Sequence, residues 1–131
     1  MFLPLRTLAA SPLPEDLVLR TEPAGEALCA TRDYAAGEVV FGFDGGELRA
    51  RRDPSTVELP DGRHLFHPVL TLATHACEPN CRLDLEGRLM VAVRAIAAGE
   101  AITCDYETTE RWFSHPFWCR CGARRCRGRI G

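Results

Sequence analysis

Three of the chain's seven cysteines, Cys119, Cys121 and Cys126, crowd into eight residues near its C-terminus, and no other feature constrains the chain as tightly. An odd cysteine count without a secretory leader argues against a disulfide framework, whereas clustered thiols in a reducing compartment point to a metal. Gly122 and Gly128 leave the backbone free to wrap closely around such an ion. Structural zinc takes four tetrahedral ligands, so one more donor has to come from elsewhere. Cys29, Cys77, Cys81, Cys104, His64, His67, His75 and His115 are the candidates, and spacing does not choose among them. A site of this kind does not exist in the unfolded chain, so binding free energy becomes folding free energy and the metal would hold the tail on the body. A redox pair is the weaker reading, since Cys-x-Cys without a βαβ pattern is not the usual oxidoreductase arrangement.

The rest of the sequence reads as short strands cut by turn residues. β-Branched and aromatic residues at two-residue spacing predict strands over 16–22, 26–31, 38–43, 56–59, 63–66, 82–85, 89–96 and 101–106, with Gly, Pro or Asp bounding 26–31, 38–43 and 56–59. No window carries a helical stripe, and only 68–74 has the look of a turn or two of helix. The predicted fold class is therefore mostly β, in small antiparallel sheets. At 131 residues the chain makes one domain, divided here into an N-terminal arm (1–15), a main body (16–110) and a tail (111–131). Arg32-Asp33-Tyr34-Ala35-Ala36-Gly37-Glu38-Val39-Val40 recurs as Arg94-Ala95-Ile96-Ala97-Ala98-Gly99-Glu100-Ala101-Ile102. Each copy is an apolar anchor, a turn where glycine permits positive φ, and a strand beginning at Glu. No apolar run approaches the ~18 residues that cross a bilayer, and the opening residues are broken by Pro4, Arg6, Pro12 and Pro14. Neither a leader nor a membrane partner is expected, and the expected location is the cytoplasm.

The densest polar segment is Thr74-His75-Ala76-Cys77-Glu78-Pro79-Asn80-Cys81, in which Pro79 disfavours helix at Glu78 and Asn80 tolerates turn geometry. By itself it is a tight bend. Taken in order with its neighbours, it resembles the SET family of protein-lysine methyltransferases, whose central motif reads Asn-His-Ser-Cys-x-Pro-Asn-Cys. Gly99-Glu100-Ala101-Ile102-Thr103-Cys104-Asp105-Tyr106 is similar to the family's Gly-Glu-x-φ-Thr-Tyr/Phe-Asp-Tyr. Cys119-Arg120-Cys121-Gly122 through Cys126-Arg127-Gly128 resembles the post-SET module, and the likeness runs from about Leu17 to the last residue.

The resemblance implies a SET fold with a C-terminal pseudoknot and a post-SET tail bound to Zn2+ by four cysteines, Cys81, Cys119, Cys121 and Cys126. It implies S-adenosylmethionine as cofactor, held by Gly25, Glu26, Ala27, Thr74, His75, Tyr106, Phe117 and Ile130. It makes Tyr106 the catalytic tyrosine, places Phe43 and Cys104 along a substrate channel, and implies a lysine-containing protein as substrate. Three positions depart from the family pattern: Ala27 stands at the second glycine of Gly-x-Gly, Thr74 at the cofactor-binding Asn, and Cys104 at the aromatic that tunes how many methyl groups fit. A smaller residue there widens the channel and favours higher methylation states.

Charge supports one competing reading. All sixteen basic residues are arginine; residues 1–110 hold ten against eighteen acids, a balance of −8, while residues 111–131 hold six and no acid, +6. Arg120, Arg124, Arg125, Arg127 and Arg129 on a zinc knuckle are a potential grip for nucleic acid, in a SET module that binds rather than catalyses. A solvated basic face, or a surface receiving an acidic substrate segment, is the simpler account. The sequence is silent on oligomeric state.

Overall fold

A computed structural model describes residues 13–22, 25–52, 55–108, 117–119 and 121–130. Most of the expected arm, together with Trp112, Phe113, His115 and Arg120, lies outside them. Twelve short strands and two single 3-10 turns make up the described chain. Strands β1 (Leu17–Glu22) and β2 (Gly25–Ala30) form a hairpin. β3 (Val39–Gly42), β8 (Cys81–Asp84) and β9 (Leu89–Ala92) form an antiparallel sheet in the order β3-β9-β8. β4 (Glu47–Arg49), β5 (Thr56–Glu58) and β6 (His64–Phe66) form a second, in the order β4-β6-β5. β7 (Thr74–His75) pairs in parallel with β10 (Thr103–Cys104), and β11 (Phe117–Trp118) pairs with β12 (Arg129–Ile130) in the tail. The 3-10 turns are Leu70–Leu72, inside the span read as helical, and Tyr106–Thr108.

The two echo segments meet face to face. Tyr34 and Ile96 exchange both backbone hydrogen bonds, at 2.8 and 2.9 Å. The Gly37 amide donates to the Ala92 carbonyl and the Gly99 amide to the Ala30 carbonyl, both at 2.7 Å; Ala92 returns to Glu38, and Ala30 to Glu100, both at 2.9 Å. Gly37 (φ 88°) and Gly99 (φ 92°) take the left-handed conformation that the turn demands. In each copy the arginine reaches the glutamate, Arg32 to Glu38 at 2.7 Å and Arg94 to Glu100 at 3.2 Å. The repeat thus folds as a local pseudo-two-fold pair about Tyr34 and Ile96. The first copy launches β3; the second launches the segment that ends at Tyr106.

That segment is enclosed. On one edge its carbonyls accept from the β7 strand and the residue after it, Thr74 N–H to Ile102 at 3.2 Å and Ala76 N–H to Cys104 at 3.0 Å. On the other, the buried Asn80 side chain accepts from Thr103 N–H (2.9 Å) and donates to the Ala101 carbonyl (2.8 Å). Residues 101–104 therefore pass through the loop 74–80, the pseudoknot implied by the resemblance. The core around them holds the fully buried Leu28, Phe43, Leu65, Met90, Ile96 and Ile102, each stabilising by about 1.5–3 kcal/mol relative to exposure.

Two expected strands are at most half as long as read. β9 stops at Ala92 because residues 93–99 turn back through Gly99, and β10 is cut to Thr103–Cys104 because Tyr106 opens a 3-10 turn. β4, β7, β11 and β12 are additions of two or three residues, too short to leave a periodic trace.

Candidate functional site

The tail returns to the body at the bend after β7. Cys77, Cys119, Cys121 and Cys126 bring their sulfurs within 4.8 Å of one another. The Cys77 and Cys119 sulfurs are 3.8 Å apart. Zn–S bonds of about 2.3 Å in a tetrahedron put neighbouring sulfurs roughly 3.8 Å apart, so the spacing and the donor set suit a zinc ion. This corrects the ligand set implied by the resemblance: the fourth thiol is that of Cys77, and not Cys81. Cys81 is 1% exposed at the start of β8, in the core cluster, and burial pushes its thiol up to about 12. A signal for this was legible. Cys81, Leu83 and Leu85 alternate with Arg82 and Asp84, which turns Cys81 toward the core, while Cys77 precedes Pro79 in the bend.

Backbone amides prepare the thiolates. Arg127 N–H donates to Cys77 Sγ at 3.3 Å and holds that thiol below its ordinary value. The amides of Cys77 and Ala123 draw Cys121 down to about 6, whereas burial pushes Cys119 up to about 12. Gly122 and Gly128, both at positive φ, turn the chain between ligands. Cys119 N–H donates to the Gly128 carbonyl at 2.6 Å, closing β11 on β12.

Beside the thiols lies an aromatic corner. The rings of His75 and Tyr106 are 5.1 Å apart, His75 and Phe117 5.6 Å, and Tyr106 and Phe117 5.9 Å. β7 positions His75, the 3-10 turn positions Tyr106, and Phe117 faces inward from β11 opposite the fully buried Ile130. Tyr106 N–H donates to His75 Nδ1 at 3.1 Å. The imidazole proton is therefore assigned to Nε2, which points at Cys77 Sγ, 3.6 Å away. The Tyr106 hydroxyl donates to the Ala73 carbonyl at 2.7 Å, and burial raises its pKa to about 12. At neutral pH it is a phenol.

The other expected site residues fall as follows. Cys104, 4% exposed, pairs in register with His75, and burial pushes its thiol up to about 12. Thr74 is exposed beside it on β7. Gly25, Glu26 and Ala27 begin β2; the space where a Gly25 Cβ would stand is open. β2 lies next to the enclosed segment, Ile102 N–H donating to the Leu28 carbonyl at 2.7 Å. Phe43 goes into the core, its ring edge-on to Phe41 and His67, so any part it takes in a channel is as backing and not as an open wall. Three participants were not anticipated in the sequence: the Ala73 carbonyl, Asp105 and Arg127. Arg127 donates to Asp105 Oδ1 at 2.8 Å and to Glu107 Oε1 at 2.6 Å, the acids on either side of Tyr106. Among the described residues no helix is long and apolar enough to cross a membrane.

Residues 55–107 match the model of the SET domain. The chain is 29% identical over 133 residues to histone-lysine N-methyltransferase 2B of Homo sapiens, covering 84% of this chain and 5% of that protein. It is 28% identical over 138 residues to an H3 lysine-36-specific histone-lysine N-methyltransferase of Chaetomium globosum, covering 87% and 15%. Over 63 residues, 44% of this chain, identity to the histone-lysine N-methyltransferase ash1 of Drosophila melanogaster reaches 40%. The chain thus spans a small fraction of the curated relatives it matches. Among solved structures, KRYPTONITE in complex with mCHG DNA and SAH shares the fold with a TM-score of 0.69 at 22% identity, over 86% of this chain and 28% of that one.

Proposed function

The chain belongs to the SET-domain family, and from that premise we propose that it transfers the methyl group of S-adenosylmethionine to a lysine amine of another protein. The observation that carries this reading is Tyr106: a partly buried phenol fixed on the Ala73 carbonyl, in an aromatic corner closed by the tail.

The residues suit the cofactor. The Tyr106 hydroxyl and the Ala73 carbonyl concentrate oxygen dipoles at one point, which favours a sulfonium there. Gly25 leaves open room, Thr74 offers an exposed hydroxyl, and the half-buried Phe117 ring offers a flat apolar surface. When bound, S-adenosylmethionine supplies the electrophilic methyl group. The chain's own work is alignment and exclusion of water. Tyr106, protonated at working pH, orients by hydrogen bonding and is not a base. The incoming amine attacks only when neutral; free lysine titrates near 10.4, and the apolar surroundings of Cys104 and Phe43 disfavour its charged form. We assign zinc to the four thiols of Cys77, Cys119, Cys121 and Cys126, where it holds Phe117 and Ile130 against the corner. With a small residue at Cys104, di- and trimethyl-lysine are the expected products; monomethyl-lysine alone would contradict that assignment.

The test is direct. S-adenosylmethionine raises the melting temperature of the zinc-loaded protein, since a ligand of the native state stabilises it, and labelled cofactor passes its methyl group to a lysine in a histone or lysate protein. Tyr106→Phe lowers transfer by about a hundredfold without unfolding the chain; unchanged turnover removes Tyr106 from the mechanism.

A nucleic-acid-binding module is supported by one feature. Trp118 is 72% exposed and stands opposite Arg129 on the outer face of the tail ribbon. Arg127 is already committed to Asp105 and Glu107, however, which removes it from such a surface. Loss of steeply salt-dependent binding to single-stranded DNA in Trp118→Ala would favour that second reading.

A further inference from the structure

Cys77, His75, Tyr106, its flanking acids and Arg127 form a closed ring of polar contacts. His75 Nε2 reaches Cys77 Sγ (3.6 Å), and Tyr106 N–H donates to His75 Nδ1 (3.1 Å). Asp105 and Glu107 flank Tyr106 in the chain, and both are gripped by the Arg127 guanidinium. The Arg127 amide returns to Cys77 Sγ at 3.3 Å. Asp105 Oδ1 also accepts from the Glu107 amide at 3.0 Å, so the carboxylate that Arg127 holds is part of the frame of the 3-10 turn itself. Exposed ion pairs as a rule stabilise little. This one differs in that the Asp105 side chain is only 16% exposed and the two guanidinium nitrogens engage acids on both sides of one residue.

We propose that Arg127 is a positioning residue for the reaction: with the metal knot it sets the orientation of Tyr106, so that tail docking and assembly of the catalytic corner are one event. The inference rests on the methyltransferase reading for the role of Tyr106, but the coupling itself is physical and is measured without turnover. A forked, planar guanidinium spans the two acids, which the single ammonium of a lysine does only in part. An outer partner of a metal ligand typically changes activity by about ten- to a hundredfold when removed. The knot alone, on this view, brings the tail close; the ring makes the closure count at the phenol.

The experiment is amide hydrogen exchange at Tyr106 on the zinc-loaded protein, with metal content measured alongside. Arg127→Met keeps its zinc while the Tyr106 amide exchanges about tenfold faster, and Arg127→Lys restores part of the protection. Chelation speeds the same amide in the parent protein but adds little in Arg127→Met, because the ring is already open. Turnover on a lysine peptide falls about tenfold in kcat with the cofactor KM little changed. Tyr106 protection equal to the parent's, with zinc retained, overturns the proposal. Should Arg127→Met lose its metal, the double variant Asp105→Asn with Glu107→Gln decides, since it opens the ring from the body side: fast Tyr106 exchange with zinc in place supports the coupling, and parental exchange ends it. An inactive parent protein with a zinc-dependent Tyr106 amide would refute the methyltransferase reading and leave the coupling standing.

Discussion

Residues 17–108 and residues 117–130 differ in what keeps them folded. The first region closes two paired echo turns, a threaded segment and three-stranded sheets over a core of wholly buried Leu28, Phe43, Met90, Ile96 and Ile102. The second has a two-stranded ribbon of two residues per strand, one fully buried side chain among its described residues, Ile130, three thiols that cluster with Cys77 of the body, and the Arg127 clamp. A body built on burial stands by itself. With zinc assigned to its thiols as proposed, the tail is expected to stand only while those donors are deprotonated and occupied. The site lies at their junction, with Tyr106 and His75 from one region and Phe117 and Ile130 from the other.

Separating the two regions chemically gives the largest expected effect. Removing the metal with a chelator, or by Cys77→Ser, releases the tail and abolishes cofactor binding while circular dichroism of the body persists; simultaneous loss of both would erase the contrast. Cys81→Ala is the matching control, since Cys81 lies in the core, and it retains the metal. Next comes a core deletion: Ile102→Ala costs about 2–5 kcal/mol by denaturant melts, and a smaller cost would mean that the enclosed segment can collapse to fill the gap.

Acid separates the regions by sequence of events. Protons compete with the metal for the thiolates, so acid releases the metal and with it the tail. The carboxyls of Glu38 and Glu100 are held below their ordinary 4.5, Glu38 chiefly by Arg32 and then the Ala35 amide, Glu100 chiefly by the Ala97 amide and then Arg94. Their folded-state values are depressed, so the stability they add is present above 4.5 and is lost only as pH falls through the lower folded value. Zinc release followed at lower pH by melting of the body is the expected order, and coincident transitions would contradict it. Smaller still, Gly37→Ala and Gly99→Ala each cost about 1 kcal/mol for positive φ, with nothing within 4 Å to clash. Near-equal losses would show that the two echo turns are energetic as well as geometric equivalents.

The β class, most strands of the body and the turn at each Ala-Ala-Gly were legible because two-residue alternation and glycine are local signals, felt within a few residues. That the echo copies pair with each other was not, since nothing in either copy names its partner. The same division runs through the site. The tail thiols Cys119, Cys121 and Cys126, and Tyr106 as a candidate, stood out from spacing and from the resemblance. The alternation of Cys81, Leu83 and Leu85 hinted that Cys81 faces the core, but that Cys77 is the thiol the tail reaches was set by the return of the tail to the bend. Arg127 looked like one of several solvated arginines until the fold brought Asp105 and Glu107 to it. Sequence by itself determined the local geometry and the inventory of reactive groups. Only the tertiary structure decided which groups meet, because the thiol from the bend and the arginine from the tail are fifty positions apart and become neighbours through chain closure alone.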